Sequence, residues 1–401
     1  MSLEPQEMDV PLGPDRSTAD AAAPPQASAE ASVEGNGAGE PRLRKYFRAM
    51  ANHGASDLHL KVGSVPHLRL RTRMVPVRGK PLTGAEIASL VSEILDERQK
   101  AQLAELGSLD VAQELEGGDR FRINVYRQRG YLSVAVRRVS RDIPNFQQLN
   151  LPPQMARIAE NTAGLVLVAG VTGAGKSTTI ASMIEHINQT RACHIVTIED
   201  PIEYIYQDKK SLINQREVGI DVADFASALK YLMREDPDVV LIGEMRDRET
   251  FQAALHAAET GHLVFGTIHA SGSSSTIGRI LDLIPSDSRE LSRQSLAFNL
   301  RAIVCQKLLP CLAPGIDRVP AVEVLLANAS ARQFIMEGRE SELLELIRSC
   351  EHEGMQDFNS SLLKLIEKDF VDPKVAYDAS PNADELKMML KGISGSRTGM
   401  R

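Results

Sequence analysis

Tryptophan is absent from the 401-residue chain, and aromatic residues make up only 4% of it. With 43% apolar content, its cores have to be filled by aliphatic side chains. The length is enough for two or three domains. Cysteine is nearly as scarce. Cys193, Cys305, Cys311 and Cys350 show no metal-type pairing, and the one short spacing, Cys305 to Cys311, is not C-x-x-C. A disulfide scaffold or a structural zinc site is therefore not expected, and a reduced, cytoplasmic setting is. No apolar run approaches the length needed to cross a bilayer. The N-terminus lacks the basic, apolar, small-residue order of a secretory leader. The expectation is a soluble protein that meets a membrane only through partners.

An overall positive charge is also missing. The net charge of −7 resides in residues 1–40, which hold eight acidic residues against Arg16, so the rest of the chain is neutral. A neutral body gives no electrostatic footprint for nucleic acid, and no direct nucleic-acid partner is expected. Residues 1–40 are rich in Pro, Ala, Gly, Ser and acid and read as a disordered acidic tail. Residues 41–146 read as a first domain. Leu58–Val62, His67–Arg71, Arg120–Tyr126 and Tyr131–Val139 alternate as half-buried strands do. Thr83–Leu95 has helical spacing, opened by a Thr83/Glu86 capping box. That pattern predicts an α+β domain with an antiparallel sheet.

Residues 147–152 read as a linker, and 153–370 as a second domain. There, apolar strands at 165–169, 194–199, 238–243 and 262–268 alternate with helices near 176–189, 224–234 and 248–260. This order predicts an α/β core with a mostly parallel sheet covered on both faces. Residues beyond about 273 read as mainly helical, and 371–401 as a partly flexible C-terminal extension.

What stands out is Gly170-Val171-Thr172-Gly173-Ala174-Gly175-Lys176-Ser177-Thr178, directly after the apolar run Leu165–Ala169. A strand leading into this loop and then into a helix is a phosphate-binding arrangement. Gly170, Gly173 and Gly175 permit the tight backbone that turns N–H groups toward phosphate oxygens. Lys176 supplies a cation for the β/γ-phosphates, the Ser177 hydroxyl can ligate Mg²⁺, and the helix points its positive end at the same anion. The ligand class is a nucleoside triphosphate.

Two further strands end in acid. Ile195–Ile198 runs into Glu199-Asp200-Pro201-Ile202-Glu203, and Asp238–Ile242 runs into Gly243-Glu244. Carboxylates at the carboxyl ends of parallel strands sit where α/β sheets place ligands. One can orient and deprotonate an attacking water, and Glu244 can hold the metal directly or through water. A solvated acidic turn and a strand-capping carboxylate are the competing readings. His262 and His269 bracket the next strand and are candidates for γ-phosphate sensing, with a structural role as the alternative.

Together these stretches resemble the secretion ATPase superfamily, and within it the type IV pilus retraction ATPases (PilT-like). The resemblance covers roughly residues 41–370. It also draws on Gly54–Leu60, Leu212–Val218, Arg234–Asp238, Gly243-Glu244-Met245-Arg246-Asp247 and Ala258–His262. It implies an N-terminal PAS-like domain, a RecA-like P-loop ATPase core with a helical C-terminal part, and a homo-hexameric ring. It implies Glu203 as catalytic base and Glu244 as the metal-linked acid, with Lys176, Ser177 and Thr178 on the phosphates and Mg²⁺. Arg120, Arg122 and Arg129 would reach the nucleotide, a solvated strand face being the other reading. The implied activity is Mg²⁺-dependent ATP hydrolysis driving pilus retraction and twitching motility. The implied partners are an inner-membrane pilus platform protein and a paralogous pilus ATPase.

The four-cysteine zinc module common in extension and export ATPases of the superfamily is missing from this chain. Two motifs depart from the retraction pattern. Ala-Ile-Arg-Asn-Leu-Ile stands here as Ser330-Ala331-Arg332-Gln333-Phe334-Ile335, and Gly354-Met355-Gln356 is followed by Asp357-Phe358-Asn359. They leave open an accessory paralogue, or a type II secretion or pilus assembly ATPase, with little turnover of its own.

Overall fold

The computed structural model describes residues 41–70, 73–115 and 118–392; the acidic stretch 1–40 lies outside the described residues, as does the end of the chain from 393. The N-terminal part holds α1 (Arg44–Asn52), β1 (Asp57–Leu60), β2 (His67–Leu70), β3 (Arg73–Pro76), α2 (Gly84–Ser92), α3 (Glu97–Leu106), β4 (Ser108–Glu114), β5 (Arg120–Gln128) and β6 (Tyr131–Arg138). Its six strands form an antiparallel sheet in the order β3-β2-β1-β6-β5-β4. The alternation legible along β5 is the burial pattern observed: Phe121, Ile123 and Val125 are fully buried, and Arg120, Arg122 and Asn124 face the other side. The Thr83/Glu86 capping box is present at the start of α2. α1, α3, β3 and β4 complete the unit.

One aromatic pair fills the centre of this unit. Phe47 of α1 stacks on Phe121 at 4.6 Å between ring centroids, and both are fully buried in a core separate from those of the second sheet.

The second part contains α4 (Gln154–Ala159), β7 (Gly164–Ala169), α5 (Lys176–Thr190), β8 (His194–Glu199), β9 (Leu212–Glu217), α6 (Phe225–Leu232), β10 (Val239–Ile242), α7 (Arg248–Glu259), β11 (Leu263–Ile268), α8 (Ser273–Asp282), α9 (Arg289–Asn299), β12 (Leu300–Pro310) and β13 (Arg318–Leu326). Five helices follow: α10 (Ala329–Met336), α11 (Leu343–Ser349), α12 (Phe358–Glu367), α13 (Pro373–Ala379) and α14 (Ala383–Leu390). The sheet order is β13-β12-β7-β11-β10-β8-β9, parallel throughout except for β13, which pairs antiparallel with β12.

The central strands are apolar without alternation because both faces are covered. Leu165, Leu167 and Ala169 of β7 enter one core, with α7, α8 and α9; Val166 and Val168 enter the other, with Ile180, Met183, Ile184 and Ile187 of α5. Phe146, Leu149 and Leu151, around the stretch expected as a linker, pack on this second core.

The region beyond residue 273 is mainly helical as expected, but the helices are interrupted by β12 and β13, which form a long hairpin on the sheet between α9 and α10. Their residues are apolar on both faces, and such a run cannot be told from a buried helix by periodicity. β9 was also not foreseen. Leu212-Ile213-Asn214-Gln215-Arg216-Glu217 carries few apolar residues, and its place at the sheet edge comes from the parallel ladder to β8.

Removing the stacked ring tests the independence of the N-terminal core. Phe121→Ala is expected to cost about 3–5 kcal/mol, read as a lowered midpoint in denaturant unfolding of the full chain. An unchanged midpoint counts against a packed Phe47–Phe121 core.

Candidate active site

The parallel register sends the carboxyl ends of β7, β8, β10 and β11 to one edge of the sheet. There the loop after β7 turns into α5, with positive φ at Gly170, Gly173 and Gly175. Gly175 is the N-cap of α5, and no side chain closes that helix end. At Gly170 a Cβ atom would stand 2.7 Å from the Gln306 carbonyl oxygen. Gln306, on the neighbouring strand β12, clamps the loop from behind. Its side-chain NH₂ donates to the Ala174 carbonyl at 2.7 Å, and its Oε1 accepts from the Thr179 hydroxyl at 2.8 Å.

Lys176 lies across the loop, its Nζ donating to the carbonyls of Gly170 (2.9 Å) and Val171 (3.1 Å). Burial holds its pKa below the ordinary lysine value, while Glu244 and Glu203 act in the opposite sense. The ammonium thus faces two carboxylates across a cavity of about 240 Å³. Lys176, Ser177, Gly173, Glu203, Glu244 and His269 all line it. Gly170, Ala174 and Gly175 shape the loop behind, and the Thr178 hydroxyl is 3.0 Å from that of Tyr204.

β11 lies between β7 and β10 in the sheet, so the residue that ends it stands between the phosphate loop and Glu244. His269 occupies this position, its Nε2 3.1 Å from Glu244 Oε1. Arg246 donates to the other oxygen of Glu244 at 2.6 Å. The Arg246 hydrogen bond is the leading cause that holds the Glu244 carboxyl below the usual range, with the Arg246, His269 and Lys176 charges adding to it against burial. Among the described residues no cluster of three His, Cys, Asp or Glu could hold a metal ion by itself. The donor set fits Mg²⁺, which is commonly bound by one or two protein oxygens together with substrate phosphates and waters. Because both Glu244 oxygens are engaged, contact through water suits this arrangement better than direct ligation.

Not every expected site residue enters the cavity. His262 precedes β11 and His269 follows it, so a six-residue strand separates them. His262 is at the amino edge, where its Nδ1 contacts the Ala257 carbonyl (2.9 Å) and the Thr260 hydroxyl (3.1 Å). Its position is that of a brace at the end of α7, which corrects its pairing with His269. Arg120, Arg122 and Arg129 also lie off the cavity wall. Arg120 pairs with Glu217 at 2.8 Å, and Arg122 lies 3.8 Å from Asp110. Arg129 occupies the β5–β6 turn, the opposite end of β5 from Arg120, with φ 51°.

Glu199, one of the strand-end carboxylates expected near the ligand, lines the cavity but is buried; its Oε1 accepts from the Thr197 hydroxyl (2.7 Å) and from Gln215 (3.2 Å). Burial pushes its carboxyl up to about 7 against those hydrogen bonds. Tyr204, Tyr206 and Thr267, which no sequence motif marks, also line the wall. Gln306 carries a usable signal, a lone amide in the apolar run Ala302–Leu309, but only once that run is known to be a strand beside β7.

The model of the family described as type II/IV secretion system protein matches residues 40–356. The twitching motility protein of Neisseria gonorrhoeae is 38% identical over 321 residues, 80% of this chain and 86% of that protein. The type IV pilus ATPase PilU of Pseudomonas aeruginosa is 36% identical over 349 residues, 87% of this chain and 91% of that one. The crystal structure of the pilus retraction motor PilT with bound ADP superposes with a TM-score of 0.79 at 41% identity, covering 86% of this chain and 98% of that chain. The chain belongs to the type II/IV secretion system protein family.

A carboxyl whose native pKa is raised keeps a proton that the unfolded chain loses above about 4.5. The stabilising contribution of Glu199 is therefore whole below that pH and is lost as pH rises through about 7. Between pH 4.5 and 8 the wild-type unfolding free energy should fall relative to Glu199→Gln by roughly 3 kcal/mol, measured by urea titration. Parallel pH profiles would refute a protonated native Glu199.

Proposed function

We propose that the chain is a Mg²⁺-dependent ATPase that powers type IV pilus retraction. The observation that carries this reading is the gathering of Lys176, Ser177, Glu203, Glu244 and His269 around one cavity at the end of a glycine-rich loop. The names borne by its relatives, twitching motility protein and pilus retraction motor, supply the biological setting.

On this reading the phosphates of ATP lie on the loop at the amino end of α5, where backbone N–H groups and the helix dipole favour anions. Lys176 gives up its two carbonyl acceptors for phosphate oxygens. Ser177 and Glu244 would hold Mg²⁺, which would neutralise developing phosphate charge. Glu203 orients the attacking water and accepts its proton. His269, held against Glu244, faces the same cavity and is placed to sense the terminal phosphate.

The arginines fit a site completed from a second unit. With Arg120 and Arg122 on the N-terminal sheet and off the cavity wall, they reach a nucleotide only if units rearrange or a neighbouring subunit presents them. A homo-hexameric ring of PAS-like and RecA-like units supplies that neighbour. The ring would work at the cytoplasmic face of the inner membrane through a platform protein. Among the described residues no helix is long and apolar enough to cross a membrane, in keeping with attachment through partners.

One observation favours a second reading, an accessory paralogue with little independent turnover. The altered stretch Ser330–Ile335 lies in α10, with Ala331 and Ile335 buried against the core and none of it on the cavity wall. On this reading ATP still binds, and the changes fall on the helical packing around the core, where dependence on a second ATPase would enter.

Purified protein is expected to hydrolyse ATP with Mg²⁺ and to lose activity with chelator. Lys176→Ala should weaken binding of a fluorescent ATP analogue, and Glu203→Gln should keep binding while lowering kcat by about a hundredfold or more. Wild-type turnover in both variants removes the ATPase assignment. Tight binding with no turnover, restored by adding a second pilus ATPase, selects the accessory reading.

A further inference from the structure

Glu203 sits in an irregular loop between β8 and β9, and loops of this kind need outside support to hold a reactive group in place. The support here comes from one strand. Gln215 of β9 spans the loop with both ends of its amide: its NH₂ donates to the Tyr204 carbonyl (2.8 Å) and to Glu199 Oε1 (3.2 Å), and its Oε1 accepts from the Tyr206 backbone N–H (3.0 Å). It therefore grips the chain on both sides of Glu203.

Two residues along the same face of β9 is Glu217, whose partner in the ladder to β8 is Glu199. Its side chain is only 7% exposed. It accepts a hydrogen bond from Arg120 of the N-terminal sheet at 2.8 Å, and the Ile202 backbone N–H, adjacent to Glu203, favours the same carboxylate. The Glu217 backbone N–H is held by Asp221 at 2.8 Å. A second link joins the end of the N-terminal sheet to the same loop, where the Ile205 N–H donates to the Ser140 carbonyl at 3.0 Å, just after β6.

We infer that β9 is the connection through which the N-terminal unit sets the position of Glu203, with Glu217 receiving Arg120 and Gln215 holding the 199–206 loop as positioning residues. The role of Glu203 as base rests on the ATPase reading; the connection itself does not. A displacement of the N-terminal sheet withdraws Arg120 from Glu217, loosens Ile202 and shifts the ends of the loop that Gln215 clasps. The competing explanation is that these bonds merely stabilise the fold, in which case disturbing one end leaves the other unaffected.

Three variants of the full chain separate the two: Glu217→Gln, which keeps size and an acceptor but removes the charge; Arg120→Ala; and the double variant. Hydrogen–deuterium exchange of peptides covering 200–206 should accelerate in both single variants and no further in the double one. In ATP turnover, Glu217→Gln should lower kcat by about tenfold to a hundredfold with KM and fluorescent-ADP affinity within about twofold of wild type. Coincident melting curves for wild type and Glu217→Gln would exclude simple unfolding. Wild-type exchange at 200–206 in Arg120→Ala, or strictly additive effects of the two substitutions, overturns the connection. If the wild type itself turns over no ATP, the ATPase reading fails and the exchange data still decide the link.

Discussion

A lysine ammonium taken partly out of water must find acceptors, and the site is organised around this requirement at Lys176. Its two carbonyl acceptors exist only because the loop curls tightly enough to bring Gly170 and Val171 under the side chain. The curl needs left-handed backbone at Gly173 and Gly175, and room at Gly170 where a Cβ would strike the Gln306 carbonyl. Gln306 in turn is available because β12 lies directly beside β7. The acidic wall opposite has the same dependence. Glu203 and Glu244 offset the cost of burying the cation, and they stand opposite it because β8, β10 and β11 run parallel to β7 and end together.

The loop, its lysine and the two carboxylates were legible in the sequence because each lies within a short contiguous stretch: an apolar strand, then polar residues at its end. What a single stretch cannot carry is which residues from distant stretches converge. Gln306 and Gln215 act through partners that become neighbours only in the folded chain. The histidines show the limit from the other side. Both flank one strand, yet a strand of six residues has two ends, and only the carboxyl end belongs to the cavity. The β12–β13 hairpin went unread because strands buried on both faces lose the alternation that marks a half-exposed strand. β9 went unread for the opposite reason: it has too few apolar residues to be recognised, and neighbouring β8 supplies its ladder.

The chain has two kinds of core. The N-terminal sheet packs its own cluster around Phe47 and Phe121, while the second sheet carries clusters on both faces. Between the two sheets the polar contacts among the described residues are few and directional: an arginine–glutamate pair at the end of β9 and one backbone hydrogen bond at the loop that carries Glu203. Contacts of this sort can be broken and remade without disturbing either core, whereas the continuous apolar packing within each part favours rigid-body behaviour.

The position of β9 at the margin of the sheet has a mechanical consequence. β9 is held by a single ladder, to β8, whereas β7, β10 and β11 each lie between two strands. A strand with one neighbour yields to a lateral pull more readily than one fixed on both sides. A load reaching the second sheet at β9 is therefore taken up at its margin, while the phosphate loop, rooted between β11 and β12, keeps its shape.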